Sequence, residues 1–251
     1  MIKITGLLKT YANTTAVDRL DLEIPAGQLF GFLGPNGAGK TTTIKLMTGL
    51  LKPNAGRIEV DGIDVQKDPQ RAKARMGYIP DRPFIYEKLT GAEYLQFIAD
   101  LYGVEQQSAK ARAGKFLDFF DLEASAHQLI GGYSHGMRQK LIISAALIHS
   151  PPVVIVDEPL IGLDPKGAKQ VKRLFLELCN KGTTVFMSTH SLAIAEDMCD
   201  RIGIIQKGKI IADGSMEQLR ERASHEGGGG LEEIFLKLTG DASLDDLLPE
   251  L

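Results

Sequence analysis

Residues 34 to 41 read Gly-Pro-Asn-Gly-Ala-Gly-Lys-Thr, a G-x-x-x-x-G-K-[ST] spacing suited to holding phosphate. Glycines let successive backbone N–H groups turn inward and wrap an anion. A helix opening within the motif adds the positive end of its dipole. In such a cradle Lys40 reaches the β- and γ-phosphates of a nucleotide, and the Thr41 hydroxyl coordinates Mg²⁺. The candidate contacts are therefore Gly34, Pro35, Asn36, Gly37, Ala38, Gly39, Lys40, Thr41 and Thr42.

A second chemical signal lies at Val153-Val154-Ile155-Val156-Asp157-Glu158. An apolar strand ends there in two carboxylates. Asp157 suits Mg²⁺ held through water. Glu158, one residue further, is placed to polarise an attacking water as a general base. His190 ends the next strand, in Ser188-Thr189-His190. A neutral imidazole there can hydrogen-bond the γ-phosphate and orient the water. The guanine-reading string N-K-x-D is missing its aspartate at Asn180-Lys181-Gly182-Thr183, which disfavours guanine specificity.

These groups need a sheet to hold them. Gln28 to Leu33 reads as a strand feeding the glycine-rich turn, and Thr42 to Leu50 as the helix after it. Before and after lie short alternating runs at Ile2-Lys3-Ile4, Leu20 to Ile24 and Arg57 to Val60, the last entering an Asp61-Gly62 turn. From Pro83 to His149 the pattern turns helical, with helices expected over Ala92–Tyr102 and Ala109–Phe120 and a third capped by Ser134. Strand and helix then alternate again. Asp164-Pro165 opens a helix that Gly182 closes, Thr183 to Ser188 is a strand, and Ile202–Gln206 with Ile210–Ala212 makes a hairpin. Ser215-x-x-Gln218 is a capping box. Gly227 to Gly230 reads as a joint before an amphipathic helix, Leu231 to Leu238. The expected fold is α/β: a phosphate-loop NTPase core with a parallel sheet, an N-terminal antiparallel β subdomain and an inserted helical lobe. Residues 1–82 and 151–220 form the core, 83–150 the lobe, and 221–251 a C-terminal extension.

Composition removes several classes. The 251 residues carry 29 basic and 32 acidic side chains, a formal net charge of -3. That lacks the basic excess of a duplex-binding protein, so no nucleic-acid partner is expected. Cys179 and Cys199 stand far apart with no paired histidines, which disfavours zinc and suits buried thiols in a reducing compartment. No basic start with an apolar run marks a signal peptide. No apolar stretch reaches the ~18 residues needed to span a bilayer. A membrane role would run through a partner.

The motif order resembles the ABC ATPase family over about residues 1–220. In that family a segment of the helical lobe binds the nucleotide held by a second subunit. The matching segment is Tyr133-Ser134-His135-Gly136-Met137-Arg138-Gln139, where the family usually reads L-S-G-G-Q. Ser134 and Gly136 match; Tyr133, His135 and Met137 stand in for Leu, Gly and Gln. Ser134 at a helix N-terminus offers a hydroxyl and backbone N–H groups to phosphate. The resemblance implies that Tyr11 stacks on adenine, that Leu163-Asp164 crosses the interface between subunits, and that Ser134, Gly136 and Met137 contact the other subunit's ATP. Asp81, in Gly77-Tyr78-Ile79-Pro80-Asp81, stands where the family generally has Gln. It lies between core and lobe and can accept from a metal-bound water. That carboxylate, Ile85 to Gly91 and the tail Leu231 to Gly240 resemble the subgroup driving ABC-2 type exporters. The resemblance thus implies an ATP- and Mg²⁺-dependent ATPase. It would pair with a second copy and an integral membrane permease, at the cytoplasmic face of the membrane. Import, or a soluble non-transport ABC ATPase, are the alternatives.

Overall fold

The computed structural model describes residues 1–81 and 84–225, with side chains as far as Glu221. Strand β1 (Ile2–Tyr11) pairs antiparallel with β2 (Thr14–Ile24). Both run well beyond the alternating stretches visible in the sequence. Register shifts between Ile4 and Leu7, Leu7 and Lys9, and Lys9 and Thr10 interrupt the period of two that would reveal them. Strand β3 (Leu29–Leu33) leads to α1 (Lys40–Met47). That helix begins at Lys40 rather than Thr42, because Gly39 in a left-handed conformation is its N-cap, and it ends at the cap Thr48 rather than Leu50. The hairpin around Asp61-Gly62 joins β4 (Ala55–Val60) to β5 (Ile63–Asp64). Helix α2 (Pro69–Ala74), capped by Asp68 with Pro69 in its first turn, is too short for periodicity to expose. Strand β6 (Met76–Ile79) follows.

The next elements are α3 (Gly91–Leu101), α4 (Gln106–Phe119) and α5 (His135–Leu147). A Thr90–Glu93 capping box starts α3, and Ser134 caps α5 as its residue type suggests. Alternation then resumes with β7 (Val153–Asp157), α6 (Pro165–Asn180), β8 (Thr184–Thr189) and α7 (Leu192–Met198), a seven-residue helix that periodicity also missed. Strands β9 (Arg201–Gln206) and β10 (Lys209–Gly214) form the expected hairpin. Helix α8 (Met216–His225) opens with Ser215 and Gln218 exchanging hydrogen bonds of 2.9 and 3.2 Å. The Gly227–Gly230 joint and the Leu231–Leu238 helix lie outside the described residues.

Two sheets result. One, ordered β2-β1-β4-β5, is antiparallel; the other runs β10-β9-β3-β8-β7-β6, with β9, β3, β8, β7 and β6 parallel in succession. Side chains alternate across this larger sheet. Leu29, Leu33, Val154, Val156, Val185 and Met187 point to one face, where they join Leu141, Leu174 and Phe175 of the helices. Phe30, Phe32, Val153, Ile155 and Phe186 point to the other, against Ile44, Leu46 and the apolar face of the antiparallel sheet. Burial on both faces explains why these strands read as unbroken apolar runs. The lobe shares the first core through Leu95, Phe120, Ile130 and Tyr133.

His149 ties the lobe to the sheet. Its ring stacks on Tyr102 at 3.8 Å between centroids, and its Nε2 lies 3.1 Å from the carbonyl oxygen of Met76. Nδ1 is buried without a partner. Burial pushes the imidazole down to about 4, because a second N–H would face no acceptor. The folded value lies below the ordinary 6.5. His149 therefore contributes stability in full above that value and loses it as pH falls towards 4. We expect His149→Gln to flatten the decline of the urea midpoint between those pH values. An unchanged slope would remove His149 from the acid lability of the fold.

Candidate nucleotide site

The carboxyl ends of the parallel strands converge on one edge of the larger sheet, the place where open α/β sheets bind ligands. Leu33, Ile79, Asp157 and Thr189 end their strands there. The turn after β3 is shaped by Gly39, whose φ is 113°. A Cβ on that residue would overlap the carbonyl oxygen of Ala16, so the turn demands glycine on both counts. Gly208 N donates to Ala38 O at 2.8 Å, and Asp18 N donates to Gly208 O at 2.9 Å. The cradle is thereby anchored to both the β9–β10 turn and β2.

Lys40 lies inside this turn. Its Nζ donates to Gly34 O at 2.5 Å and to Pro35 O at 3.1 Å. Burial lowers its pKa, with Glu158 and then Asp157 acting in the opposite direction. A buried cation lacking a full counter-charge is primed to gain from phosphate. Thr41 Oγ1 donates to Asp157 Oδ2 at 3.2 Å. Asp157 Oδ1 accepts from Ser188 Oγ, a partner supplied by the parallel register of β7 and β8, which sets Asp157 against Ser188. Asp157 is almost fully buried. Glu158 adopts a φ of 52°, which a residue with a Cβ rarely takes. Its Oε1 lies 2.7 Å from His190 Nδ1. Tyr78 on β6 has its phenol pushed up to about 12 by burial, then by Asp157 and Asp81.

One cavity of about 310 Å³ is lined by Pro35, Asn36, Gly37, Gly39, Lys40, Thr41, Thr42, Asp81, Asp157, Glu158 and His190, together with Ala16 and Ile161. Most of the residues singled out in the sequence thus share a single wall. Gly34 and Ala38 lie behind it in the turn. Tyr11 stands at the exposed end of β1 with Lys9 Nζ 5.2 Å from its ring centre, and it does not line the cavity. Ser134, Gly136 and Met137 also lie outside it, at the start of α5, where Ser134 Oγ accepts from Met137 N at 3.3 Å. Three contributors went unnoticed in the sequence: Ser188, Ala16 and Ile161. For Ser188 a signal existed, a hydroxyl in a fully buried strand, but its partner becomes visible only once β7 and β8 are paired.

The arrangement suits Mg²⁺ beside a triphosphate. Among the described residues no cluster of three or more His, Cys, Asp or Glu side chains is assembled. Mg²⁺ needs none, since it is commonly held by one or two carboxylates, waters and substrate phosphates. The oxygens of Thr41 and Asp157 converge as such a site requires. Cys179 and Cys199 are free and buried, and burial pushes the Cys179 thiol up to about 12 and that of Cys199 higher. Neither is a reactive thiolate.

Comparison with known proteins agrees with this geometry. Residues 17–161 match the model of the ABC transporter family. The chain is 40% identical over 219 residues to the daunorubicin/doxorubicin resistance ATP-binding protein DrrA of Streptomyces peucetius, covering 87% of this chain and 66% of that protein. It is 38% identical to the bacitracin transport ATP-binding protein BcrA of Bacillus licheniformis, over 88% of this chain and 72% of that one. A solved ATP-binding subunit of an ABC transporter superposes with a TM-score of 0.89 at 32% identity, covering 95% of this chain and 99% of the other. Likeness that extends through cradle, lobe and paired carboxylates is common descent, and the chain belongs to the ABC transporter family as one of its ATP-binding subunits.

Proposed function

We propose that this chain is the ATP-hydrolysing motor of an exporter, working as a head-to-tail pair on the cytoplasmic face of a membrane permease. The observation that carries the reading is a division of phosphate-binding groups. Lys40, Thr41, Asp157, Glu158 and His190 meet in one cavity, while Ser134, Gly136 and Met137 stand elsewhere, with Ser134 exposed at a helix N-terminus. A second copy facing the first brings each half to the other. ATP then lies between Gly34–Thr42 of one subunit and Ser134–Met137 of its partner, with Tyr11 at the adenine and Leu163-Asp164 crossing the interface.

Each side chain has a task in that sandwich. Lys40 exchanges its carbonyl partners for phosphate oxygens. Mg²⁺, when bound, would supply positive charge to stabilise the phosphates. Thr41 would hold it directly, and Asp157 and Asp81 through water. Ser188 fixes the rotamer of Asp157. Glu158 takes a proton from the attacking water, and His190 Nδ1 aligns that carboxylate while the imidazole faces the γ-phosphate. Loss of the γ-phosphate removes what joins the two copies, so the pair loosens, a ligand-driven shift of population. The core, residues 1–82 and 151–220, holds the nucleotide. The lobe, 83–150, moves about the segment near Asp81, and 221–251 extends beyond the core.

The permease contact is read from an exposed aromatic group at the base of the lobe. Phe84 is 88% exposed and Tyr86 50%, with centroids 6.1 Å apart, and Tyr86 meets Phe97 at 5.5 Å. Clustered exposed aromatics mark an interaction surface. Among the described residues no helix is long and apolar enough to cross a membrane. Direction follows from Asp81 and from relatives named for daunorubicin resistance and bacitracin transport, since resistance is served by moving a toxic compound outwards.

Glu158→Gln should lower steady-state phosphate release about 10²- to 10⁴-fold while retaining ATP binding, and should leave an ATP-dependent dimer on size exclusion. Turnover at the parent rate would remove Glu158 as the base. Affinity purification from gently solubilised native membranes should recover a polytopic membrane protein with the full chain, and Phe84→Asp with Tyr86→Asp should deplete it. Recovery only with ribosomes or soluble partners would replace the transporter reading by that of a non-transport ATPase.

A further inference from the structure

The loop leaving Glu158 is gripped by the helix that carries Ser134. Gln139 on α5 is buried, and its Nε2 donates to Pro159 O at 3.4 Å. One turn earlier on the same face, the His135 ring lies against Gly162. A Cβ on Gly162 would overlap that ring at Cδ2 and Nε2. Gly162 also has a φ of 77°, a backbone state that side chains resist. Residues 135 and 139 thus hold positions 162 and 159 through a ring contact and a hydrogen bond. The loop's own backbone bonds are long, Ile161 N to Glu158 O at 3.4 Å and Leu163 N to Leu160 O at 3.3 Å, so the ring packed on Gly162 is the tightest contact it makes with the lobe. The other side of His135 lines a second cavity together with Asp81, Phe84, Ile85 and Glu87. That cavity opens at the base of the lobe, beside the aromatic surface.

We propose that His135 is a positioning residue for hydrolysis: with Gln139 it clamps the loop after Glu158 to the lobe, so the lobe's orientation sets the aim of the Glu158 carboxylate in the same subunit. The proposal rests on Glu158 being the base. Its physical basis is leverage. Glu158 sits at a strained φ, and its backbone can relax unless the following residues are held. A displacement of about 1 Å at a reacting group is enough to cost a hundredfold in rate. Glycine at position 135 would leave the ring's place against Gly162 unfilled. The histidine makes a mechanical link between the segment that binds the partner's nucleotide and the carboxylate that acts on its own.

The test uses the full chain as parent, His135→Ala, Gly162→Ala and the double variant. In the nucleotide-free chain, His135→Ala should raise amide hydrogen exchange at Ile161 and Leu163 about tenfold, because the clamp is gone. In steady state it should lower kcat about tenfold with KM within twofold. Gly162→Ala should lose more than tenfold in kcat through its clash with the ring. Removing the ring as well should make the double variant no worse than about threefold below His135→Ala alone. Unchanged exchange at both amides overturns the clamp, whatever the activity. A raised KM with unchanged kcat overturns it in favour of direct contact between His135 and nucleotide. Losses that simply multiply in the double variant also overturn it. A parent chain without ATP turnover in the presence of its permease would instead sink the reading of Glu158, and the exchange result would still decide the clamp.

Discussion

Lys40 is a cation drawn into a turn of backbone and held there by two carbonyl oxygens. Its burial is the constraint around which the surrounding structure is arranged. A buried ammonium is costly unless opposite charge is near, and Asp157 and Glu158, at the end of β7 two strands away, act in that direction. The carboxylates in turn need their own partners, which Thr41, Ser188 and His190 provide. All of these groups bond as readily to phosphate, metal or water. Nucleotide binding then becomes an exchange of partners within a preformed site, with little reorganisation.

The sheet makes this possible because its strands are parallel. Parallel strands deliver their carboxyl ends to one edge, so three segments distant in sequence place side chains within hydrogen-bond reach there. Burial on both faces keeps that edge rigid. Phe30 and Phe32 meet Phe186 at 5.8 and 5.2 Å beneath the cradle, and the helical lobe closes the opposite face with Leu95, Phe120 and Leu141. The lobe is therefore tied to the sheet by a continuous core.

The sequence was legible where chemistry constrains residue type and illegible where geometry alone does. The cradle and the Asp157–Glu158 pair could be read because phosphate and metal tolerate few substitutes at fixed spacing. The buried strands β3, β7 and β8 stood out as apolar runs. The antiparallel strands were cut short in the reading because bulges after Ile4 and Leu7 reverse the alternation. Helices α2 and α7 span less than two turns, too few for a 3.6-residue period to register. Ser188 looked like any small strand residue until register set it against Asp157. His135 read as a departure from a glycine, and its contact lies 27 positions away at Gly162, beyond the reach of any local pattern.

That contact bears on how a two-copy motor can keep its halves in step. A cassette that divides its phosphate-binding groups between two surfaces must relate those surfaces to one another, or each half would act alone. The shared hydrophobic core gives stiffness but no direction. A directional link needs a few groups that touch both parts and leave little slack, as ring against glycine and amide against carbonyl do at His135 and Gln139. The loop they hold emerges from Glu158, whose unfavourable φ gives it a reason to move when released. Strain on one side of the loop and packing on the other leave the Glu158 carboxylate dependent on how positions 159 to 162 are held. The helix that Ser134 caps is thus the one whose first turns, at His135 and Gln139, touch the loop leaving Glu158.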